Sequence, residues 1–238
     1  MSAARRPAAG MSDPFPTVYR LLRDHFGPRH WWPAETEFEV MAGAILTQNT
    51  AWSNVTRAMA ALRERSLLDP AAMLAAPEGS LAEAIRPCGY FNVKTRRLRH
   101  LCAALLADGG VEGWRRWRTQ ALRERLLGIH GVGEETADCI LLYVYYRPVF
   151  VIDAYTRRVF SRLELLDADA RYRSLAEVFE NALGEDPALY NEYHAQIVAL
   201  GNRICRPRPR CRECPLIEIC PMGRHTSRSR PGKVLYGE

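Results

Sequence analysis

Two apolar-periodic segments meet at Ile129-His130-Gly131-Val132-Gly133, and that junction limits how the middle of the chain can fold. Gly131 and Gly133 carry no Cβ, so each can adopt φ > 0 and let its backbone approach another molecule closely. Behind them Ala137, Ile140, Leu141 and Val144 recur at helical spacing from Glu134 to Tyr145, which predicts a helix. The N–H groups that open such a helix favour an anion. The junction is therefore either a tight packing turn or a clamp for one phosphate group. Twenty residues past Gly133, Asp153 closes the apolar run Val149-Phe150-Val151-Ile152 and precedes a further helical segment. Asp is a preferred N-cap. A capping carboxylate also has a fixed position, so Asp153 can be a cap, a chemical group or both.

The rest of the chain reads as helix as well. Phe15 to Phe26, Thr36 to Leu46 and Asn92 to Leu106 each place apolar residues on one face. Ser53 is expected to cap a helix carrying Val55, Met59 and Leu62, and Asp69-Pro70 reads as an N-cap and first-position pair. Ser80-Leu81-Ala82-Glu83 and Ser174-Leu175-Ala176-Glu177 read as capping boxes. A last long helix from Pro187 is expected to stop at Gly201, a suitable residue just past a helix end. No alternating strand pattern is present. The expected fold class is all-α.

Four of the seven cysteines, Cys205, Cys211, Cys214 and Cys220, form C-x5-C-x2-C-x5-C. Four thiolates in so short a segment can close around one compact centre. Tetrahedral zinc competes for such a set. One short hook flanked by longer loops suits the larger [4Fe–4S] cube better. Cys88, Cys102 and Cys139 lie on apolar helix faces and read as buried packing residues. An odd cysteine count with no secretory signal points to a reducing compartment. Cytoplasmic localisation is expected, nucleoid-associated in a bacterium. No apolar run reaches about 18 residues, so no membrane span is expected.

The formal net charge is +6, which permits a nucleic-acid partner without requiring one. Of 33 basic residues only Lys94 and Lys233 are lysine. Arginine suits bidentate phosphate contacts, although a GC-rich genome produces the same bias.

Taken together, Gly131-Val132-Gly133-x-x-Thr136-Ala137 and Val151-Ile152-Asp153 resemble the helix-hairpin-helix DNA glycosylases of the endonuclease III group. The resemblance covers roughly Phe15 to Pro221. It implies two helical domains with a DNA-binding cleft between them. The expected boundaries are a disordered extension at 1–14, a cluster domain from 15–35 and 148–222, a six-helix barrel at 36–147 with its hairpin at 121–145, and a basic tail at 223–238. It also implies a [4Fe–4S] cluster on the four cysteines, and double-stranded damaged DNA as the partner of a monomer. The family's first cysteine gap is x6, one residue longer than here. The shortened loop, Arg206-Pro207-Arg208-Pro209-Arg210, is stiff and basic and reads as a second phosphate-binding element.

On the family pattern Asp153 is the catalytic carboxylate that assists cleavage of an N-glycosidic bond after base flipping. Bifunctional members carry a lysine where this chain has Glu135. A carboxylate cannot form an imine, so a monofunctional enzyme with little or no lyase activity is expected. Three features resemble the 3-methyladenine branch: His30-Trp31-Trp32-Pro33, Gly43 to Thr50 followed by Trp52, and the x5 gap. That likeness makes Trp32, Pro33 and Trp52 walls of a pocket for an alkylated purine, whose cationic ring aromatic faces attract. Glu135 would add negative charge there; otherwise it is an ordinary acidic residue in a helix's first turn. Gln48 matches the residue that fills the gap left by the flipped base, and Gly89-Tyr90-Phe91-Asn92 matches the wedge loop. Lys94 is expected to contact phosphate. The alternatives are an endonuclease III-type enzyme on oxidised pyrimidines and a non-catalytic DNA-binding module.

Overall fold

The computed structural model describes residues 13–228. Of the expected N-terminal extension and C-terminal tail, residues 1–12 and 229–238 lie outside the described residues. Both expected boundaries move. Asp13 and Pro14 already cap and open the first helix, and residues 221–228 are helical.

The described residues form α-helices and short turns, with no strand among them. In chain order these are α1 Pro14–Phe26, α2 Glu37–Leu46, α3 Trp52–Glu64, α4 Pro70–Ala75, α5 Glu78–Ala84, α6 Phe91–Ala107 and α7 Gly110–Arg115. They continue with α8 Thr119–Leu127, α9 Glu134–Tyr143, α10 Ala154–Arg162, α11 Tyr172–Leu183, α12 Pro187–Arg203 and α13 Pro221–Arg228. Among the described residues no helix is long and apolar enough to cross a membrane.

The cap expected at Asp69 forms, and Thr36 supplies a further one. Asp69 accepts from the Ala72 N–H at 2.8 Å, and Thr36 accepts from the Glu39 N–H at 3.2 Å. Other expected caps do not form. Ser53, Ser80 and Ser174 sit inside α3, α5 and α11, because those helices start earlier, after Ala51, Pro77 and Arg171. Gly201 does not end α12, which runs on to Arg203. Its missing Cβ serves packing instead. A Cβ there would lie 2.6 Å from Cδ1 of Tyr155.

The chain divides into two compact units, one joining Met1–Trp31 to Phe150–Glu238 and one spanning Trp32–Val149. The central unit takes Trp32 to Glu35 from the expected cluster domain. Trp32 lies against Gly43, where a Cβ would meet its ring at 3.0 Å, and against Trp52 and Tyr143. This unit is built around α2, whose residues Phe38 to Leu46 are all buried. A helix apolar on every side belongs in a core. Here α3, α6 and α9 surround it.

Helices α8 and α9 form an antiparallel pair closed by the glycine junction. A bidentate ion pair locks them: Arg123 donates from Nε to Oδ1 of Asp138 at 2.7 Å and from Nη2 to Oδ2 at 3.1 Å. Asp138 is 0% exposed. The terminal unit has an aromatic core. Phe150 stacks on Phe179 at 4.0 Å, Phe15 stacks on Phe160 at 5.5 Å, and the Tyr193 hydroxyl donates to the Phe15 carbonyl at 2.8 Å. The last contact ties α1 to α12, so the first and the last long helix of the described residues share one core.

Removing one partner of a buried bidentate pair leaves the other charge uncompensated. Asp138→Ala is expected to lower unfolding stability by about 3–5 kcal/mol, measured as a shift of the urea midpoint at unchanged slope. A shift of less than about 1 kcal/mol, the size of a surface pair, would contradict that role.

Candidate nucleic-acid interface and active carboxylate

The junction between α8 and α9 is a close-fitting turn. Gly131 has φ +92°, and a Cβ there would lie 2.2 Å from Cγ of Arg97. The aliphatic stem of Arg97 thus occupies the space a side chain would need. Gly133 differs from expectation: it is extended, with φ −95° and ψ 180°, and nothing lies within 4 Å of its Cβ position. Gly133 is exposed and immediately precedes α9, where backbone N–H groups have no carbonyl partner within the helix. Conformation demands Gly131, whereas Gly133 leaves room for something outside the chain.

Gln48 belongs to this turn. Its Nε2 donates to the Gly131 carbonyl at 3.0 Å and to the Thr136 hydroxyl at 2.9 Å. Its Oε1 accepts from Nη1 of Arg97. The residue expected to fill the gap beside a flipped base is therefore held at a fixed height over the hairpin.

In the loop expected to act as a wedge the two aromatics differ. Tyr90 is 76% exposed, with φ +44°, while Phe91 is half-buried under the Arg86 guanidinium, 4.9 Å from its ring centre. Tyr90 is the projecting group. Lys94 overturns its expected role. It is 2% exposed, and its Nζ donates to the Leu46 carbonyl at 2.8 Å, the Cys88 carbonyl at 3.0 Å and the Thr50 hydroxyl. Those three acceptors use all three ammonium hydrogens. No phosphate can reach it. The turn of α6 that carries Lys94 faces inward, and Arg96 takes the exposed side. Burial pushes the Lys94 ammonium below the ordinary lysine range, while the neighbouring Cys88 pulls it back up.

Trp32, Pro33 and Trp52 do come together. They line a cavity of about 210 Å³ with Glu39, Gly43, Met59 and Arg63. Trp32 and Trp52 meet edge to face at 5.1 Å and 81°, so they form one continuous wall. Glu135 is exposed in the first turn of α9 and is not in this lining. The carboxylate in the cavity is Glu39, which accepts from Arg63 at 3.0 Å and from the Glu35 N–H at 2.9 Å. Nothing in the sequence distinguished Glu39 from an ordinary acidic residue opening α2.

In the terminal unit Asp153 caps α10. Its Oδ1 accepts from the Thr156 N–H at 2.7 Å and the Thr156 hydroxyl at 2.8 Å. The side chain is therefore fixed, with 9% of the residue exposed. The second oxygen, Oδ2, lies 3.7 Å from Nε2 of His194 on α12. Burial holds this imidazole below the usual histidine range, and the Asp153 charge opposes that shift. The sequence offered no signal for His194, a lone histidine on a mostly buried helix.

Helix α10 also grips the cysteine segment. Arg158 donates to the carbonyls of Cys205 at 2.8 Å and Gly201 at 2.9 Å. Arg162 donates to the Cys205 sulfur at 3.2 Å and to the carbonyls of Arg206 and Pro207. Cys205, Cys211, Cys214 and Cys220 line one cavity whose other walls include Ile204, Pro209, Ile217 and Met222. Burial pushes the Cys214 thiol up to about 11, and the other three cysteines add to that shift. Among the described residues no three His, Cys, Asp or Glu are grouped to hold a single metal ion. Arg206, Arg208 and Arg210 are exposed beside this cavity, with Arg210 3.8 Å from Glu213. Cys88, Cys102 and Cys139 are buried as packing residues.

Comparison with known proteins places these features in context. The family model for the HhH-GPD superfamily base excision DNA repair proteins matches residues 42–184. The Methanocaldococcus jannaschii protein MJ1434, named as a DNA repair glycosylase, is 45% identical over 206 residues, covering 85% of this chain and 94% of the relative. Endonuclease III of Sulfolobus acidocaldarius is 29% identical over 77% of this chain and 81% of its own. Among solved structures, an H. pylori 3-methyladenine DNA glycosylase (MagIII) bound to 1,N6-ethenoadenine aligns with TM-score 0.70 and 28% identity, covering 81% of this chain and 98% of that one. An endonuclease III–DNA covalent intermediate aligns with TM-score 0.77 at 21% identity, covering 92% of this chain and 100% of that one, and shares the fold.

The two hairpin glycines are expected to separate in mutagenesis. Gly131→Ala combines a left-handed backbone with a clash against Arg97 and should lower stability by more than about 1 kcal/mol. Gly133→Ala should cost only the loss of a glycine N-cap, about 0.5–1 kcal/mol, yet weaken binding to an undamaged duplex about tenfold, since its methyl would block a close phosphate approach. Unchanged affinity for Gly133→Ala, measured by fluorescence anisotropy, would leave the junction as a packing turn only.

Proposed function

The chain belongs to the HhH-GPD superfamily of base excision DNA repair proteins, and from that premise we propose that it is a monofunctional DNA glycosylase acting on alkylated purines in duplex DNA. It is an endonuclease III-like helix-hairpin-helix DNA glycosylase. The reaction class and substrate are the further step. In this reading it works as a monomer in the cytoplasm, where genomic DNA is accessible. The hairpin amides near Gly133 and the exposed Arg206, Arg208 and Arg210 hold backbone phosphates. Tyr90 wedges into the duplex and Gln48 fills the vacated space.

The observation that carries the monofunctional reading is the state of the amines. Glu135 stands where a Schiff-base lysine would be needed, and Lys94, the one lysine among the described residues, has its amine enclosed by three acceptors. Water is then the nucleophile. Asp153, clamped by Thr156, presents its carboxylate to the positive charge that develops on the sugar as the base leaves. His194 Nε2 lies 3.7 Å from the oxygen that Thr156 leaves uncapped. A cationic alkylated purine leaves readily and needs no strong general acid. The aromatic wall of Trp32 and Trp52 suits such a ring, and the MagIII relative supports the assignment. The likeness to endonuclease III favours oxidised pyrimidines as the second reading.

The four cysteines fit a [4Fe–4S] cluster by their chemistry: an all-thiol donor set lines one apolar-walled cavity. When bound, the cluster would brace the loop from Arg206 to Arg210, with no part in the chemistry on DNA. Purified protein is expected to show visible iron–sulfur absorbance and about four irons per chain. A colourless protein holding one zinc would overturn the cluster.

The test of function is base release from methylated duplex DNA. The wild type should free 3-methyladenine or 7-methylguanine, and Asp153→Asn should lower the single-turnover rate by about 100-fold or more without loss of folding. Release only from oxidised-pyrimidine duplexes would move the assignment to the second reading. Silence on both would leave a DNA-binding module.

A further inference from the structure

We propose that Lys94 is a positioning residue for duplex opening: its buried ammonium joins the Gln48 loop to the Tyr90 turn, so the two groups that enter DNA are held as one unit. This rests on the reading that Gln48 and Tyr90 enter the duplex, and it adds a residue that sequence patterns place outside.

The geometry is that of two helix ends converging on one cation. Leu46 is the last residue of α2, and Cys88 closes the short turn Arg86–Cys88 that leads to the wedge. Carbonyls at helix ends lack intrahelical donors and carry the negative end of the dipole. Nζ of Lys94 satisfies the Leu46 carbonyl at 2.8 Å and the Cys88 carbonyl at 3.0 Å. Its third hydrogen goes to the Thr50 hydroxyl, which itself donates to the Cys88 carbonyl at 2.7 Å. Thr50 is two residues from Gln48, and Cys88 is two residues from Tyr90. One ammonium therefore spans the loop after α2 and the turn before α6.

The strain at Tyr90 shows why such a tie is needed. A non-glycine residue at φ +44° is held in a sparsely populated region, which persists only where its surroundings fix it. Tyr90 is 76% exposed, so its own side chain supplies little of that restraint. The fixing contacts come from beneath. The Lys94 backbone N–H donates to the Tyr90 carbonyl at 3.0 Å, while the Lys94 side chain holds Cys88 on the other side of Gly89. One turn further along α6, Arg97 grips Oε1 of Gln48. Two cations on successive turns of one helix thus set the heights of the wedge and the gap-filling amide.

The experiment uses full-length protein and a duplex carrying a tetrahydrofuran abasic-site analogue opposite 2-aminopurine. This probe reads wedge insertion through unstacking of the opposite base and involves neither a lesion nor Asp153. The wild type should brighten the 2-aminopurine on binding. Lys94→Met should lose most of that brightening at saturation, while affinity by anisotropy falls by no more than about threefold because phosphate contacts remain. Thr50→Val should show the same split, and Thr50→Ser should behave as wild type. If Lys94→Met fails to fold, Thr50→Val and Thr50→Ser decide on the same readout. Full brightening in Lys94→Met or in Thr50→Val would overturn the proposal, as would equal signals from the two Thr50 variants. If the wild type binds without brightening, the wedge reading fails and the inference falls with it, whereas base release through Asp153 is judged separately on methylated DNA.

Discussion

The central unit depends on one steric fact, the absence of a side chain at Gly131. Its left-handed backbone lets Arg97 lie where a Cβ would be, and that approach brings the Arg97 guanidinium to Gln48. Gln48 in turn bonds the Gly131 carbonyl and the Thr136 hydroxyl, closing a ring of contacts between α2, α6, the hairpin and α9. The Arg123–Asp138 pair fixes the same two hairpin helices from the other side. The turn is thereby rigid before any ligand arrives. An anion site made of backbone N–H groups gains from that rigidity, because little ordering remains to be done on binding.

A second economy appears at Asp153. The contacts that make it a good N-cap use only Oδ1, which leaves Oδ2 outside the cap. The helix it caps extends to Arg158 and Arg162, which hold the backbone of the cysteine loop. One short helix thus carries a carboxylate at its start and the supports of a basic loop at its end. Any cluster held by the cysteines would stabilise the terminal unit through the same arginines.

The helical fold was legible because its signals are local. Apolar periodicity located nearly every long helix, and Asp69 and Asp153 cap as their positions suggested. The errors arose where distant residues decide. Lys94 looked like a surface cation opening a helix, yet two carbonyls and a hydroxyl from other segments draw it inside. Gly201 carried the mark of a helix end, but the Tyr155 ring, far away in sequence, is what requires it. Ser80 and Ser174 matched capping boxes inside helices that begin a turn or less earlier, where a proline or arginine stands at the cap. His194 and Glu39 left no trace in the sequence, since their character comes from burial beside Asp153 and within an aromatic-walled cavity.

The proposed reaction is hydrolysis by water beside the Asp153 carboxylate, in a chain whose described lysine amine is enclosed. Product analysis of a methylated duplex in the presence of borohydride tests it most directly. The expected products are free methylated purine and an intact strand bearing an aldehydic abasic site, with no covalent protein–DNA adduct. A borohydride-trapped adduct, or a strand cleaved in step with base release, would contradict it and require an amine nucleophile.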